Sequence, residues 1–306
     1  MHALNTVIDS SKGLTPGTTS SVSEPISGAS LTVGGGFKAK SFRERDIGDA
    51  MDPLVLVDHY VMTESTFGAH PHAGMSAVSL LFEDSKGLFH NRDSLGNDFD
   101  LHPGDLYWLS AGRGAVHDES PRANARIHGL QVFVNVPQTR RFDPPTSLLV
   151  RSTDMPVLAS ADYRVKVALG ESNGVRGAAS PSTPVTILDG TIQSGGCFSH
   201  EPAANRGLWV QSVNGGLDIT IDGAARHIAH GQAIAIKTGA GTTISISNPS
   251  TRAVHFALFD GAQIAETYVQ EGPFVMGSQD QIEDINAAYA AGQLGSIPEN
   301  ILMKLT

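Results

Sequence analysis

Apolar residues along this chain recur in short runs with a period near two, separated by glycine, proline and small polar residues. Leu217-Asp218-Ile219-Thr220-Ile221 alternates cleanly, and Asp222-Gly223 after it suits a hairpin turn. Ile234 and Ile236, Ile244 and Ile246, then Val254, Phe256 and Leu258 repeat the alternation. In the first half, Ile127 to Val136 alternates likewise and is expected to close a first barrel. Leu106 to Leu109 resumes a strand after the turn His102-Pro103-Gly104-Asp105, with Trp108 expected in the core. Ala77 to Phe82 is apolar strand, and Leu54-Val55-Leu56-Val57, closed by Asp58 and His59, fits a strand buried on both faces. Short strands at such spacing predict an all-β chain of barrels or jelly rolls. Ser278-Gln279-Asp280-Gln281 departs from the pattern: it has the form of a capping box, and Gln281 to Ala291 reads as a helix stopped by Gly292.

Residues 9 to 30 hold Ser, Thr, Gly and Pro with hardly any large apolar side chain, so residues 1–30 are expected as a flexible or surface-draped arm. The Pro-rich stretch 137–146 separates two sets of strands that look like copies of one architecture. The expected division is an arm at 1–30, a first barrel at 31–140, a second at 141–275, and a helix and tail at 276–306.

Composition narrows the function classes. A net charge of −10 without any Lys/Arg run speaks against nucleic acid as a direct partner. The single cysteine, Cys197, rules out an intrachain disulfide and a thiolate zinc site, and points to a reducing, cytoplasmic setting. Met1 to Lys12 lacks the basic and apolar regions of a secretory signal, and no apolar stretch is long enough to span a bilayer.

The candidate chemistry lies in two glycine-rich pieces, Gly68-Ala69-His70-Pro71-His72-Ala73-Gly74 and Ala111-Gly112-Arg113-Gly114-Ala115-Val116-His117-Asp118-Glu119. Residues i and i+2 of a strand point to one face, so His70 and His72 can converge, as can His117 and Glu119. Two such strands facing each other in a barrel would join three imidazoles and a carboxylate, a set suited to a divalent first-row metal with open positions. Asp58 and His59 are candidates for supporting the ligands by hydrogen bonds, or simply for ending a strand. Arg113 could orient a carboxylate or anchor its loop. His90 is expected on a strand surface, and His200 and His255 as ordinary polar residues of a metal-free second barrel.

Several segments resemble the pirins: Asp52-Pro53-Leu54-Val55-Leu56-Val57-Asp58-His59, His70-Pro71-His72-Ala73-Gly74, Arg92-Asp93-Ser94-Leu95-Gly96, Pro103-Gly104-Asp105-Leu106-Tyr107-Trp108, Ala111-Gly112-Arg113-Gly114 with His117-Asp118-Glu119, and Glu271-Gly272-Pro273-Phe274-Val275-Met276. They run in family order from about residue 37 to 295. The resemblance implies two tandem cupin barrels stacked face to face, with a C-terminal helix packed back across them. It also implies one metal per chain on His70, His72, His117 and Glu119. Iron(II) is the family's usual metal; manganese, nickel, cobalt and copper suit the same donors. Family members carry Arg and Glu where Ala73 and Ser76 stand, a departure expected to alter the polarity of the pocket. Bacterial pirins are similar to flavonol 2,3-dioxygenases, which implies a monomer opening quercetin-like rings with O₂ and releasing carbon monoxide, Glu119 taking the 3-hydroxyl proton. Other pirins act as metal-dependent regulatory modules that dock on proteins, which is the alternative.

Overall fold

The computed structural model describes residues 20–297 and the backbone of the strand Thr6–Ile8. The described residues form two antiparallel barrels and one long helix. The first barrel combines a seven-stranded sheet with a four-stranded one. The larger sheet runs in the order Thr146–Val150, Leu106–Ser110, Met75–Leu81, Ile127–Asn135, Leu54–Met62, Phe37–Arg43, Ala29–Val33. The smaller is Asp98–Leu101, Phe89–Asp93, Ala115–Pro121, His70–His72. The second barrel repeats the plan. Its large sheet centres on Val185–Ile192, Val254–Ala262 and Arg206–Ser212, and its small one comprises Cys197–His200, Ile244–Ser247, Leu217–Ile221 and Ala224–Ile228.

The two large sheets pack against each other. Leu54, Val57, Val78, Leu80, Trp108, Leu130 and Val132 from one share a buried cluster with Ile187, Trp209, Ala235, Ala257 and Phe259 from the other. Phe42 meets Trp209 edge to face across this seam, with ring centroids 4.8 Å apart. The packing explains why every residue of Met75–Leu81 is buried: one face fills the first barrel and the other fills the seam. Leu54–Met62 runs past Asp58 and His59 rather than ending there, and Ile127–Asn135 lies mid-sheet instead of closing the barrel. The interior of the second barrel is filled by Val165, Val167, Phe198, Leu208, Ile219, Ile246 and Phe256.

Residues 20–30, expected as arm, are largely strand. Ser21–Val22 and Ile26–Ser27 pair with Gln232–Lys237 of the second barrel, and Ala29–Val33 pairs with Phe37–Arg43 of the first. Thr6–Ile8 pairs with Tyr268–Glu271. The rest of the arm, residues 1–5 and 9–19, lies outside the described residues, as do 298–306 of the tail. Removing residues 1–28 should therefore lower the melting temperature while leaving the metal content of the first barrel unchanged; unfolding at the wild-type temperature would show that these pairings add nothing. Thr146–Val150 also crosses the division expected at 140/141, pairing with Leu106–Ser110 of the first barrel.

The helix spans Gln279–Ala290, with the Ser278 hydroxyl accepting from the Gln281 amide and Gly292 at φ +73° beyond its end. Gln281 Oε1 accepts from the amide of Gly277 rather than of Ser278, so the reciprocal bond of a capping box is shifted by one residue. Ile282 and Ile285 bury against Ala73, Val116, Phe274 and Met276. Among the described residues no helix is long and apolar enough to cross a membrane.

His59 points into the seam. Its Nε2 lies 2.8 Å from Nε2 of His128, whose Nδ1 lies 2.7 Å from Asp84. Burial first, then His128, His255 and His230, push the His59 pKa down to about 3. A histidine held neutral stabilises the fold fully above its unfolded pKa near 6.5, and loses that contribution as pH falls toward 3. Through His59 alone, unfolding free energy should drop by about 2 kcal/mol between pH 6.5 and 5. Denaturant titrations of wild type and His59→Gln would read this; equal slopes against pH would refute it.

Candidate metal centre

His70–His72 and Ala115–Pro121 are not opposing walls but hydrogen-bonded neighbours at the edge of the small sheet. His117 stands opposite His70, and Ala115 opposite His72. The period of two then puts all three imidazoles on the inner face. His117 Nε2 lies 2.9 Å from His72 Nε2 and 3.0 Å from His70 Nε2, and the three donor atoms all fall within 4.8 Å of one another. Nitrogens about 2.1 Å from one ion and at right angles to each other would lie about 3 Å apart, so the two close pairs that share His117 fit neighbouring positions on one ion. His70 Nδ1–H donates to the Gly68 carbonyl at 2.8 Å, which leaves its Nε2 lone pair free.

Electrostatics agree with the geometry. Burial lowers the pKa of His70, His72 (to about 3) and His117, so all three are neutral donors. Glu119 lines the same pocket, and burial pushes its carboxyl up to about 7. The Ser79 hydroxyl donates to Glu119 Oε1 at 2.7 Å, and the carboxyl stands apart from the three-histidine group. Three neutral imidazoles and a desolvated carboxyl in one cavity are what a divalent cation would satisfy, so the residues present fit a metal.

The ligand loop is shaped from behind. Gly74 has φ +71°, and a Cβ there would stand 1.9 Å from the Val275 carbonyl oxygen. The Val275 amide in turn donates to the Ala73 carbonyl at 3.0 Å. The segment Phe274–Met276 thus braces the histidine strand, which gives the downstream signature a physical role.

The other candidates separate by strand parity. Asp58 faces the pocket, whereas His59 faces the seam. Ser76 also points away from the metal pocket, and bonds Ser182 Oγ at 2.7 Å in a different cavity. Ala73 is buried against the C-terminal helix. The two departures from the family pattern therefore lie outside the metal pocket, contrary to expectation. Arg113 is exposed beside Gly114 and Leu294, away from the histidines. His90 is buried, with its Nε2 2.7 Å from Asp98, instead of lying on a surface. His200 is more than an ordinary polar residue: buried in the second barrel, it contacts Ser172 and Asp260, which Arg206 also holds. His255 is paired with Asp189 at 2.5 Å.

Sequence reasoning passed over the rest of the pocket. Phe37, Leu56, Tyr60, Met62, Phe89 and Phe133 line it, Phe67 stands at its mouth, and Gln131 joins Ser79 at 2.9 Å. Asp58, Gln131, Ser79 and Tyr107 form one row across the large sheet. Counting in twos from Asp58 reaches Tyr60, the signal that could have found it.

Residues 35–134 match the pirin family model, and residues 187–295 match the model of the pirin C-terminal cupin domain. A pirin-like protein of Arabidopsis thaliana is 31% identical over 278 residues, covering 87% of this chain and 94% of that protein. Rat pirin (Rattus norvegicus) is 30% identical over 236 residues, 76% of this chain and 79% of its own length. Among solved structures, a quercetin 2,3-dioxygenase from Acinetobacter baumannii superposes with a TM-score of 0.78 at 22% identity, covering 91% of this chain and 98% of that one. A bacterial pirin from Escherichia coli in complex with nickel(II) gives 0.61 at 19%, covering 80% and 100%. Both likenesses are likenesses of fold.

Proposed function

The chain belongs to the pirin family, and from that premise we propose that it is a metal-dependent dioxygenase that opens the heterocyclic ring of flavonols such as quercetin with O₂ and releases carbon monoxide. The observation that carries the reading is the convergence of His70, His72 and His117 in an aromatic-walled pocket that also holds Glu119. These four residues would hold one divalent metal, iron(II) for preference. When bound, it supplies Lewis acidity toward the substrate hydroxyl and a centre able to take part in O₂ chemistry.

The protein's own residues do the rest. Phe37, Phe89 and Phe133 offer flat apolar walls that orient a planar ring and exclude water. Glu119, desolvated and held by Ser79, would take the proton of the flavonol 3-hydroxyl. Removing that proton leaves an electron-rich flavonolate, the species that reacts with O₂.

Elemental analysis of purified protein should give one metal per chain, because the second barrel offers His200 already committed to Ser172 and Asp260. Without O₂, quercetin should bind the iron(II) protein with a shift of its absorption band. Admitting O₂ should bleach it and form carbon monoxide in proportion. Metal-replete protein that leaves quercetin intact under O₂ would overturn the reading in favour of a metal-tuned regulatory module.

A further inference from the structure

The metal pocket contains two buried polar atoms outside the ligand set, one on an Asp58 carboxylate whose charge Ser41 and Arg43 already favour, the other on Tyr60. Asp58 is 7% exposed and Tyr60 2%, and both line the pocket. Asp58 Oδ1 and Tyr60 Oη have no hydrogen-bond partner. Orphaned buried groups of this kind are costly, by about 1–3 kcal/mol each, and are commonly kept for a ligand. The two rise from inward positions i and i+2 of Leu54–Met62, roughly 7 Å apart along the strand. One is an acceptor and the other can donate.

We propose that Asp58 and Tyr60 form a hydroxyl-recognition site, which selects aromatic substrates carrying hydroxyls beyond the one directed at the metal. The inference rests on reading the pocket as a phenol-binding metal site, and it narrows the substrate class. A hydroxylated ring satisfies both groups, donating an O–H to Asp58 Oδ1 and accepting from Tyr60 Oη. A carboxylic acid is disfavoured, because its anion would face Asp58 and Glu119 in one apolar cavity. An ammonium group would satisfy Asp58 but be repelled by a metal on the histidines.

Size restricts the class further. The cavity measures about 140 Å³, close to the ~150 Å³ of an apolar cavity that takes one benzene ring. The parts of a larger molecule that the cavity cannot hold would lie at the mouth against Phe67, which is 47% exposed and packs edge-on to Phe37.

The test is anaerobic binding to nickel(II)-loaded and to metal-free protein, with quercetin and 3-hydroxyflavone as probes. The second keeps the 3-hydroxyl and 4-keto group and lacks the other hydroxyls. Wild type should prefer quercetin by about tenfold or more, the scale of one buried hydrogen bond to a charged group. Asp58→Asn and Tyr60→Phe should each weaken quercetin binding about tenfold and leave 3-hydroxyflavone within about twofold. Equal affinity of wild type for both flavonols, or equal loss of both in the variants, overturns the proposal. Should Asp58→Asn not fold, Tyr60→Phe decides, since it deletes one oxygen and no packing. Because binding is read without O₂, protein that shows the preference but leaves quercetin intact once O₂ is admitted refutes the dioxygenase reading and leaves the recognition site standing. Protein that oxidises both flavonols equally well does the reverse.

Discussion

His117→Ala should empty the metal centre. His117 is the hub of the trio, within 3.0 Å of both other imidazole nitrogens, so its loss leaves His70 and His72 as a pair on a strand edge. Altering residues behind a ligand commonly costs 10–100-fold in metal affinity, so removing a ligand should cost more than about 100-fold, and flavonol turnover should fall to background. The fold should survive, because a buried neutral imidazole is traded for a methyl group and an uncompensated polar site disappears. Thermal shift separates the two effects. A metal that binds the native state at 100 times its dissociation constant adds about 2.7 kcal/mol, so added nickel(II) should raise the melting temperature of wild type and leave that of the variant where it was. Equal shifts in the two proteins would place the metal elsewhere.

Glu119→Gln is expected to act on chemistry more than on structure. The change preserves shape and the bond from Ser79 while removing a charge and a base. Loss of a positioned general base typically costs 10²–10⁴-fold, so turnover should fall by about that factor with some weakening of metal retention. Anaerobic quercetin titration should still show binding through the aromatic walls, but with a smaller shift of the absorption band, since the 3-hydroxyl proton has lost its acceptor. Undiminished turnover would show that Glu119 is neither the base nor a needed ligand.

What the sequence made legible follows from where the polar positions lie. The His70/His72 and His117/Glu119 spacings could be read because glycines bracket them and period two fixes which residues share a face. The family resemblance added the barrels and the order of the pieces. Other residues could not be placed for a definite reason. Met75–Leu81 is buried at every position, so apolar alternation, the signal that distinguishes inside from outside, is missing. Nothing in that run shows that Ser79 faces the metal pocket and Ser76 the seam. The same holds for Asp58 and His59, adjacent on a strand whose two faces are both covered. The pairing of Ser21–Val22 and Ile26–Ser27 was hidden for another reason. It is made by backbone groups along a sheet edge, and two-residue strands leave no periodic trace in side chains.

The brace behind the histidine strand has a consequence for how the protein is made. Chains emerge from the ribosome in N-to-C order, and both ligand strands have been synthesised by Pro121. The segment that fixes their loop, Phe274–Met276, arrives 276 − 121 = 155 residues later. At ~5–20 residues per second that is a delay of roughly 8–30 s. During this interval the nascent histidines lack their buttress, the helix that buries Ala73 does not exist, and a loosely held His-Pro-His strand would be open to whichever abundant cation it meets. Metallation of the proposed site would therefore belong after release, and any metal carried by protein overproduced in rich medium would report the cation supply during those seconds as much as the preference of the finished site.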